Sequence, residues 1–225
     1  MPLSVDIPEK EVLRYMGYRG ISDIDPETQV RIDKAMEQVA AQSHPRVISK
    51  EYPVRIRGNE ITVYNDTEEV ILASESLARN LKDCCGAILL AATIGPACDM
   101  LVRRAAVTSS AEVSIYQATG AAAIEAFLDD YNDKLEKSYA AQGLFLRPRF
   151  SPGYGDLKLD HQKDWFRLLD ITKHTGIELT DSLLMVPTKS VTAIIGIGID
   201  KNKTGCSGCS GCNRHDTCAY SKEDK

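Results

Sequence analysis

The stretch RFSPGYGD, Arg149 to Asp156, places a cation, a hydroxyl, a proline, two glycines, a phenol and an acid side by side. Gly153 and Gly155 let a ligand come close to the backbone, because neither carries a Cβ. Arg149 can grip a carboxylate through a bidentate fork. Tyr154 offers a flat aromatic face and a hydroxyl. Together these suit a small amphipathic zwitterion that carries an aromatic base. The competing reading is a turn-rich connection between helices, since Pro and Gly punctuate loops everywhere. The loop is not a phosphate cradle: it has neither G-x-x-x-x-G-K-[ST] nor a G-x-G-x-x-G that opens a helix.

Two further features carry chemistry. Glu125 lies within GAAAIEAF, a run of small and apolar residues on a long helical pattern. A carboxylate there is either on the wet face of the helix or held inward for a ligand. Cys206, Cys209, Cys212 and Cys218 form C-x2-C-x2-C-x5-C, with Gly and Ser filling the gaps. Four thiolates suit an iron–sulfur cluster or tetrahedral zinc, and His215 can replace one ligand. The run resembles a ferredoxin pattern without the closing Pro, whereas zinc sites more often use two separated C-x2-C pairs. A reduced tail or a disulfide pair is the bland alternative. The other three cysteines, Cys84, Cys85 and Cys98, lie in or beside apolar segments and read as buried thiols. There is no Ser/His/Asp set, no H-E-x-x-H and no pair of acids at helical spacing that stands out as catalytic. His161 and His44 read as surface residues.

The elements that must position these residues mix helices and strands. An amphipathic segment covers about Glu9 to Gly17. A second runs from Pro26 to Ala41, with Val30, Ala35, Met36 and Val39 at helical spacing and Asp25 as its N-cap. Tyr52 to Ile56 and Glu60 to Tyr64 read as a strand pair around Arg57-Gly58-Asn59. Glu75 to Asp83 is a short helix, and Ala87 to Ile94 a buried strand closed by Gly95-Pro96. Pro96 to Ala106 and Ser110 to Ala141 are helical. Asp160 is placed to cap a helix over His161 to Leu169. Short strands follow at Ile177 to Leu179 and Leu183 to Val186. VTAIIGIGI, from Val191 to Ile199, reads as a strand with a bulge. Regular βαβ alternation is missing, so the expected class is α+β: a mixed or antiparallel sheet with long helices. Residues 1–200 are expected to form one domain and 201–225 a Cys-rich tail.

Composition sets outer bounds. The chain has 225 residues, 43% of them hydrophobic, which is enough for a real core. Its net charge is -5 and no basic block stands out, which argues against nucleic acid as a partner. The N-terminus lacks the pattern of a secretory signal, and the longest apolar run is too short to span a bilayer. A cytoplasmic protein without a membrane partner is expected.

The loop Arg149-Phe150-Ser151-Pro152-Gly153-Tyr154 resembles the R-x-x-P-G-Y loop of the activation domain of cobalamin-dependent methionine synthase. LTDSLLMVPTKSVTAIIG, Leu179 to Gly196, is similar to that domain's T-[ED]-S-x-x-M-x-P-x-x-S-V-S-G signature. AIEAF (Ala123 to Phe127) stands upstream in the same order and at the same distance. EVLRYMGYRG, and the presence of ATIGPACD together with RFSPGYGD, resemble stand-alone forms of the domain. The likeness covers roughly residues 5 to 200. After Tyr154 the family loop continues Y-P-x-C-P-x-H, whereas this one continues Gly155-Asp156.

The resemblance implies an activation-domain fold that binds S-adenosylmethionine (AdoMet) and presents its methyl group to cobalamin held by a partner. Arg149 would bind the methionine carboxylate and Glu125 would attract the ammonium. Backbone groups of Ser151 and Gly153 would face the adenosyl part, and Tyr154 would sit near the sulfonium. The cobalamin-binding D-x-H-x-x-G is absent. The implied role is therefore reductive methylation, in trans, of a cobalamin-bound methionine synthase, with flavodoxin or ferredoxin as reductant and the Cys tail as a candidate electron relay. Two rivals are an iron–sulfur or metal-binding accessory protein and an activator of some other corrinoid methyltransferase.

Overall fold

The computed structural model describes residues 3–18 and 24–199. The proposed metal ligands Cys206, Cys209, Cys212 and Cys218, together with His215, lie outside the described residues. The helices are α1 (Glu9–Tyr15), α2 (Pro26–Gln42), α3 (Glu75–Asn80), α4 (Ala97–Ala105), α5 (Ser110–Ala140), α6 (Gln162–Leu169) and α7 (Ile171–Thr175). The strands are β1 (Arg46–Tyr52), β2 (Val54–Arg57), β3 (Glu60–Tyr64), β4 (Glu69–Ala73), β5 (Cys84–Thr93), β6 (Phe145–Leu146), β7 (Glu178–Leu179), β8 (Met185–Val186) and β9 (Ser190–Gly198). The α+β class and the antiparallel sheet expected from the sequence are both present.

The central sheet has the order β1-β5-β9-β6, and all its pairings are antiparallel. Its two middle strands are largely apolar because both faces are covered. On β5, Ile88, Leu90 and Ala92 point into a core shared with α1, α2, α4 and α5, while Ala87, Leu89 and Ala91 point into a second core. That alternation is the two-residue period of a strand, with an apolar partner on each side. The second core contains Ile61 and Val63 of β3, Val70 and Leu72 of β4, Leu77 of α3, and Trp165, Leu168 and Leu169 of α6. Two large buried side chains are anchored by hydrogen bonds: the Trp165 indole donates to the Ala193 carbonyl at 2.9 Å and the Tyr52 hydroxyl to the Leu168 carbonyl at 2.6 Å.

Local expectations fare unevenly. Asp25 caps α2 as expected, accepting from the Thr28 amide at 2.9 Å. Val30 does not join the apolar face of α2; it is 65% exposed, while Ile32, Ala35 and Val39 are buried. The expected strand Tyr52–Ile56 is divided at Pro53, which separates β1 from β2. Proline has no N–H to give to a ladder. Asp160 does not cap α6; it lies within a 3-10 turn, Leu159–His161, that leads into the helix. The irregularity expected in β9 is on its partner: the register shifts between Cys84 and Gly86 of β5. Cys98 is buried and Cys84 half-buried, but Cys85 is exposed, contrary to the reading of all three as buried thiols. Among the described residues no helix is long and apolar enough to cross a membrane.

The long helix α5 is the support for the loop. It starts at Ser109, whose hydroxyl accepts from the Glu112 amide. Its middle turns, with Ala118, Gly120, Ala122 and Ala123 buried, bring its backbone close to its neighbours. A Cβ at Gly120 would overlap Cys98 Sγ of α4 and lie 2.9 Å from Lys189 Cε. α5 packs on α1, α2, α4 and the sheet, leaving Glu125 and Asp129 only partly covered.

Candidate functional site

The loop after β6 is stitched to β9 by backbone bonds. The Arg147 amide donates to the Gly196 carbonyl at 2.8 Å. Phe150 and Ile194 exchange both bonds of a bridge, at 2.9 and 2.8 Å. Phe150 is buried, and Tyr154 meets it edge-on with ring centroids 5.2 Å apart while remaining 50% exposed. Inside the loop, the Tyr154 amide donates to the Ser151 carbonyl at 3.0 Å and the Gly153 amide to the Leu157 carbonyl at 2.9 Å. Gly153 and Gly155 have φ of +87° and +57°, the left-handed region that favours glycine. A side chain at Gly155 would also crowd Ser76 Oγ at 3.2 Å. The two glycines thus have a conformational reason to be there.

Asp156 fastens the far end of the loop. Its carboxylate accepts from Ser74 Oγ at 2.5 Å, from the Glu75 amide at 2.7 Å and from the Ser76 amide at 3.2 Å. These donors stand at the start of α3, where backbone amides lack helical partners. Ser74 Oγ in turn accepts from the Leu77 amide at 3.0 Å. The Ser74 hydroxyl first, and then the amides, hold the Asp156 carboxyl down at about 2.

Arg149 leaves the same loop toward α5. Its Nη2 donates to Glu125 Oε2 at 3.1 Å and to Asp129 Oδ1 at 2.8 Å. The two sequence candidates of opposite charge, Arg149 and Glu125, are therefore together. Asp129 joins them, although no acid pair at helical spacing stood out in the sequence. Glu125 and Asp129 are four residues apart on α5 and so share a face. The side chains of Arg149, Glu125 and Asp129 are 20%, 33% and 55% exposed. The cluster is accessible to a solute and unlike a closed structural ion pair. The loop presents a cation between acids, and an aromatic ring and two glycines at the surface.

The second signature, Leu179 to Gly196, ties the site's neighbours together. Thr180 and Leu184 close a tight turn between β7 and β8. Val186-Pro187 is cis. Asp99, from ATIGPACD, accepts from the Thr188 amide at 2.9 Å and from the Thr188 hydroxyl. ATIGPACD thus anchors the second signature and makes no described bond to RFSPGYGD. Lys189 Nζ donates to the Gln117 carbonyl at 3.1 Å and to Gln117 Oε1 at 2.7 Å, and burial pulls its pKa down. Burial pushes the neighbouring Cys98 thiol up to about 11. His161 Nδ1 is 2.9 Å from Asp164, and His44 is on the surface. Among the described residues no group of three or more His, Cys, Asp or Glu side chains is placed to hold a metal.

Comparison with known proteins bears on this geometry. Residues 129–203 match the family model described as vitamin B12 dependent methionine synthase, activation domain. That span includes Asp129, the whole loop and β7 to β9. Among curated proteins no match was found. Among solved structures, the chain is similar to the crystal structure of the MetH reactivation domain bound to AdoHcy, with a TM-score of 0.66 and 18% identity over 88% of this chain and 75% of that one. The chain has the fold of the methionine synthase reactivation domain, and its residues 129–203 carry that family's sequence pattern.

Proposed function

We propose that this protein binds AdoMet at the loop between β6 and α6 and supports reductive methylation of cobalamin on a methionine synthase in trans. The observation that carries the proposal is the Arg149–Glu125–Asp129 cluster on a loop that also carries an exposed Tyr154. AdoMet has one carboxylate, one ammonium, one sulfonium and one adenine. Arg149 is the donor for the carboxylate, through the N–H groups that Glu125 and Asp129 leave open. Glu125 is the acceptor for the ammonium. Backbone groups of Ser151 and Gly153 face the adenosyl part, and Tyr154 stands by the sulfonium, where a corrin would approach. The similar reactivation domain was crystallised with AdoHcy, the thioether that remains once AdoMet gives up its methyl.

The methyl transfer places few demands on this chain. The partner's cob(I)alamin is the substrate nucleophile; its electron pair forms the cobalt–carbon bond as the carbon–sulfur bond breaks and its pair stays on sulfur. The protein's contribution is to fix the donor in line and to exclude water. The preceding reduction of cob(II)alamin takes one electron, supplied by flavodoxin or ferredoxin. Cys206, Cys209, Cys212 and Cys218 would hold an iron–sulfur cluster or a zinc ion; four soft thiolates fit either. The cluster would supply one-electron redox chemistry and zinc only a fold. A cytoplasmic location accords with this role.

The test is reconstitution. A methionine synthase ending after its cobalamin module is brought to the cob(II)alamin state and given AdoMet and reduced flavodoxin, with and without this chain. The expected result is a methylcobalamin spectrum that appears only when this chain is present. No conversion above the reaction lacking it would overturn the proposal.

A further inference from the structure

We propose that Asp129 is a specificity-determining residue that makes the site favour the sulfonium form of its ligand over the thioether form. The inference rests on the reading of the loop as an AdoMet site. It begins with a charge count. Arg149 and Glu125 alone sum to zero. Asp129 is the second carboxylate on the same Arg149 nitrogen, Nη2, at 2.8 Å against 3.1 Å for Glu125. It turns the cluster into a site of net charge -1, from one guanidinium and two carboxylates.

The donor and its product differ in one charge. AdoMet carries a carboxylate, an ammonium and a sulfonium, and so is +1 overall. AdoHcy has lost the sulfonium charge and is neutral. A neutral ion pair would treat the two nearly alike. A cluster of net charge -1 attracts the first and only orients the dipoles of the second. The arrangement also leaves Arg149 able to take a carboxylate. A guanidinium has five N–H groups, and the bonds to Glu125 and Asp129 both come from Nη2. The N–H groups of Nη1 and Nε remain for single hydrogen bonds to a ligand carboxylate. Glu125 and Asp129, one helical turn apart on a rigid helix, hold the guanidinium plane by its other end. Product release would gain as well, since transfer of the methyl removes the charge that Asp129 attracts.

Asp129 is 55% exposed, so water and salt screen it, and the preference it confers is about two- to fivefold, not orders of magnitude. The test is calorimetric titration of AdoMet and AdoHcy into the full chain and into Asp129→Asn and Asp129→Glu, at low and at high salt. The expected result is that Asp129→Asn weakens AdoMet about two- to fivefold and leaves AdoHcy within about 1.5-fold. Asp129→Glu keeps the preference, and salt erodes it in the parent but not in Asp129→Asn. Asp129→Asn weakening both ligands equally, or neither, with the parent binding both, overturns this inference and leaves the AdoMet site standing. A parent that binds neither ligand overturns both.

Discussion

Replacing Asp156 by Asn tests how the ligand loop is held. The substitution keeps the shape and removes the charge that accepts from Ser74 Oγ and from the Glu75 and Ser76 amides at the start of α3. Those bonds take the carboxyl from its ordinary 3.8 to about 2. At about 1.4 kcal/mol per pKa unit that fall is worth roughly 2 kcal/mol before screening. Asp156 is exposed, so solvent screening reduces this to about 1 kcal/mol, in keeping with the ~1 kcal/mol of a helix N-cap. The folded pKa lies below the unfolded one. The contribution is therefore present in full above about pH 4 and is lost as pH falls toward about 2. Urea unfolding of parent and variant at pH 7 and pH 3 reads it. The expected gap is about 1 kcal/mol at pH 7 and about half that at pH 3. A gap that is the same at both pH values, or below about 0.3 kcal/mol at pH 7, would refute the assignment of Asp156 as a charged cap.

Gly120→Ala should destabilise the protein by about 1 kcal/mol, because overpacking against Cys98 Sγ outweighs the ~1 kcal/mol gain in helix propensity. Adding Cys98→Ala should recover that loss, which a double-mutant cycle by chemical unfolding would check. Iodoacetamide at pH 7.5 should label Cys85 well before Cys98. Cys85 is exposed, whereas Cys98 is buried with its thiol raised to about 11, and the thiolate is the reactive form. Peptide mass spectrometry over time reads the order, and equal rates would contradict the burial of Cys98.

What the sequence disclosed and what it hid follow from the range of the forces involved. The loop was legible because its information is local: two glycines at positive φ, a proline, and a cation and a phenol five residues apart. The apolar runs of β5 and β9 were legible as buried strands, since covering both faces leaves no polar position to alternate with. β1 is not legible in its own right because RVISKEY shows no clean two-residue pattern; only Tyr52 is fully buried there. β4, EVILA, alternates as exposed and buried, but so short a run does not stand out from its surroundings. Asp129 carried a readable signal, four residues after Glu125. Its importance depends on Arg149 reaching across twenty residues of chain, which spacing on α5 alone does not reveal. Asp156 likewise looked like the end of the loop; its partner, the start of α3, lies some eighty positions away in sequence.

The central claim, that this loop is an AdoMet site, is tested most directly by titrating AdoMet into the anaerobically purified chain and into Arg149→Ala. Arg149 is 20% exposed and faces two partly exposed acids, so its removal should leave the fold intact, which circular dichroism on the same samples verifies. The account predicts saturable binding by the parent that weakens at least tenfold in the variant, roughly 1.4 kcal/mol. Equal affinity in the two proteins, or no binding by the parent, would contradict it.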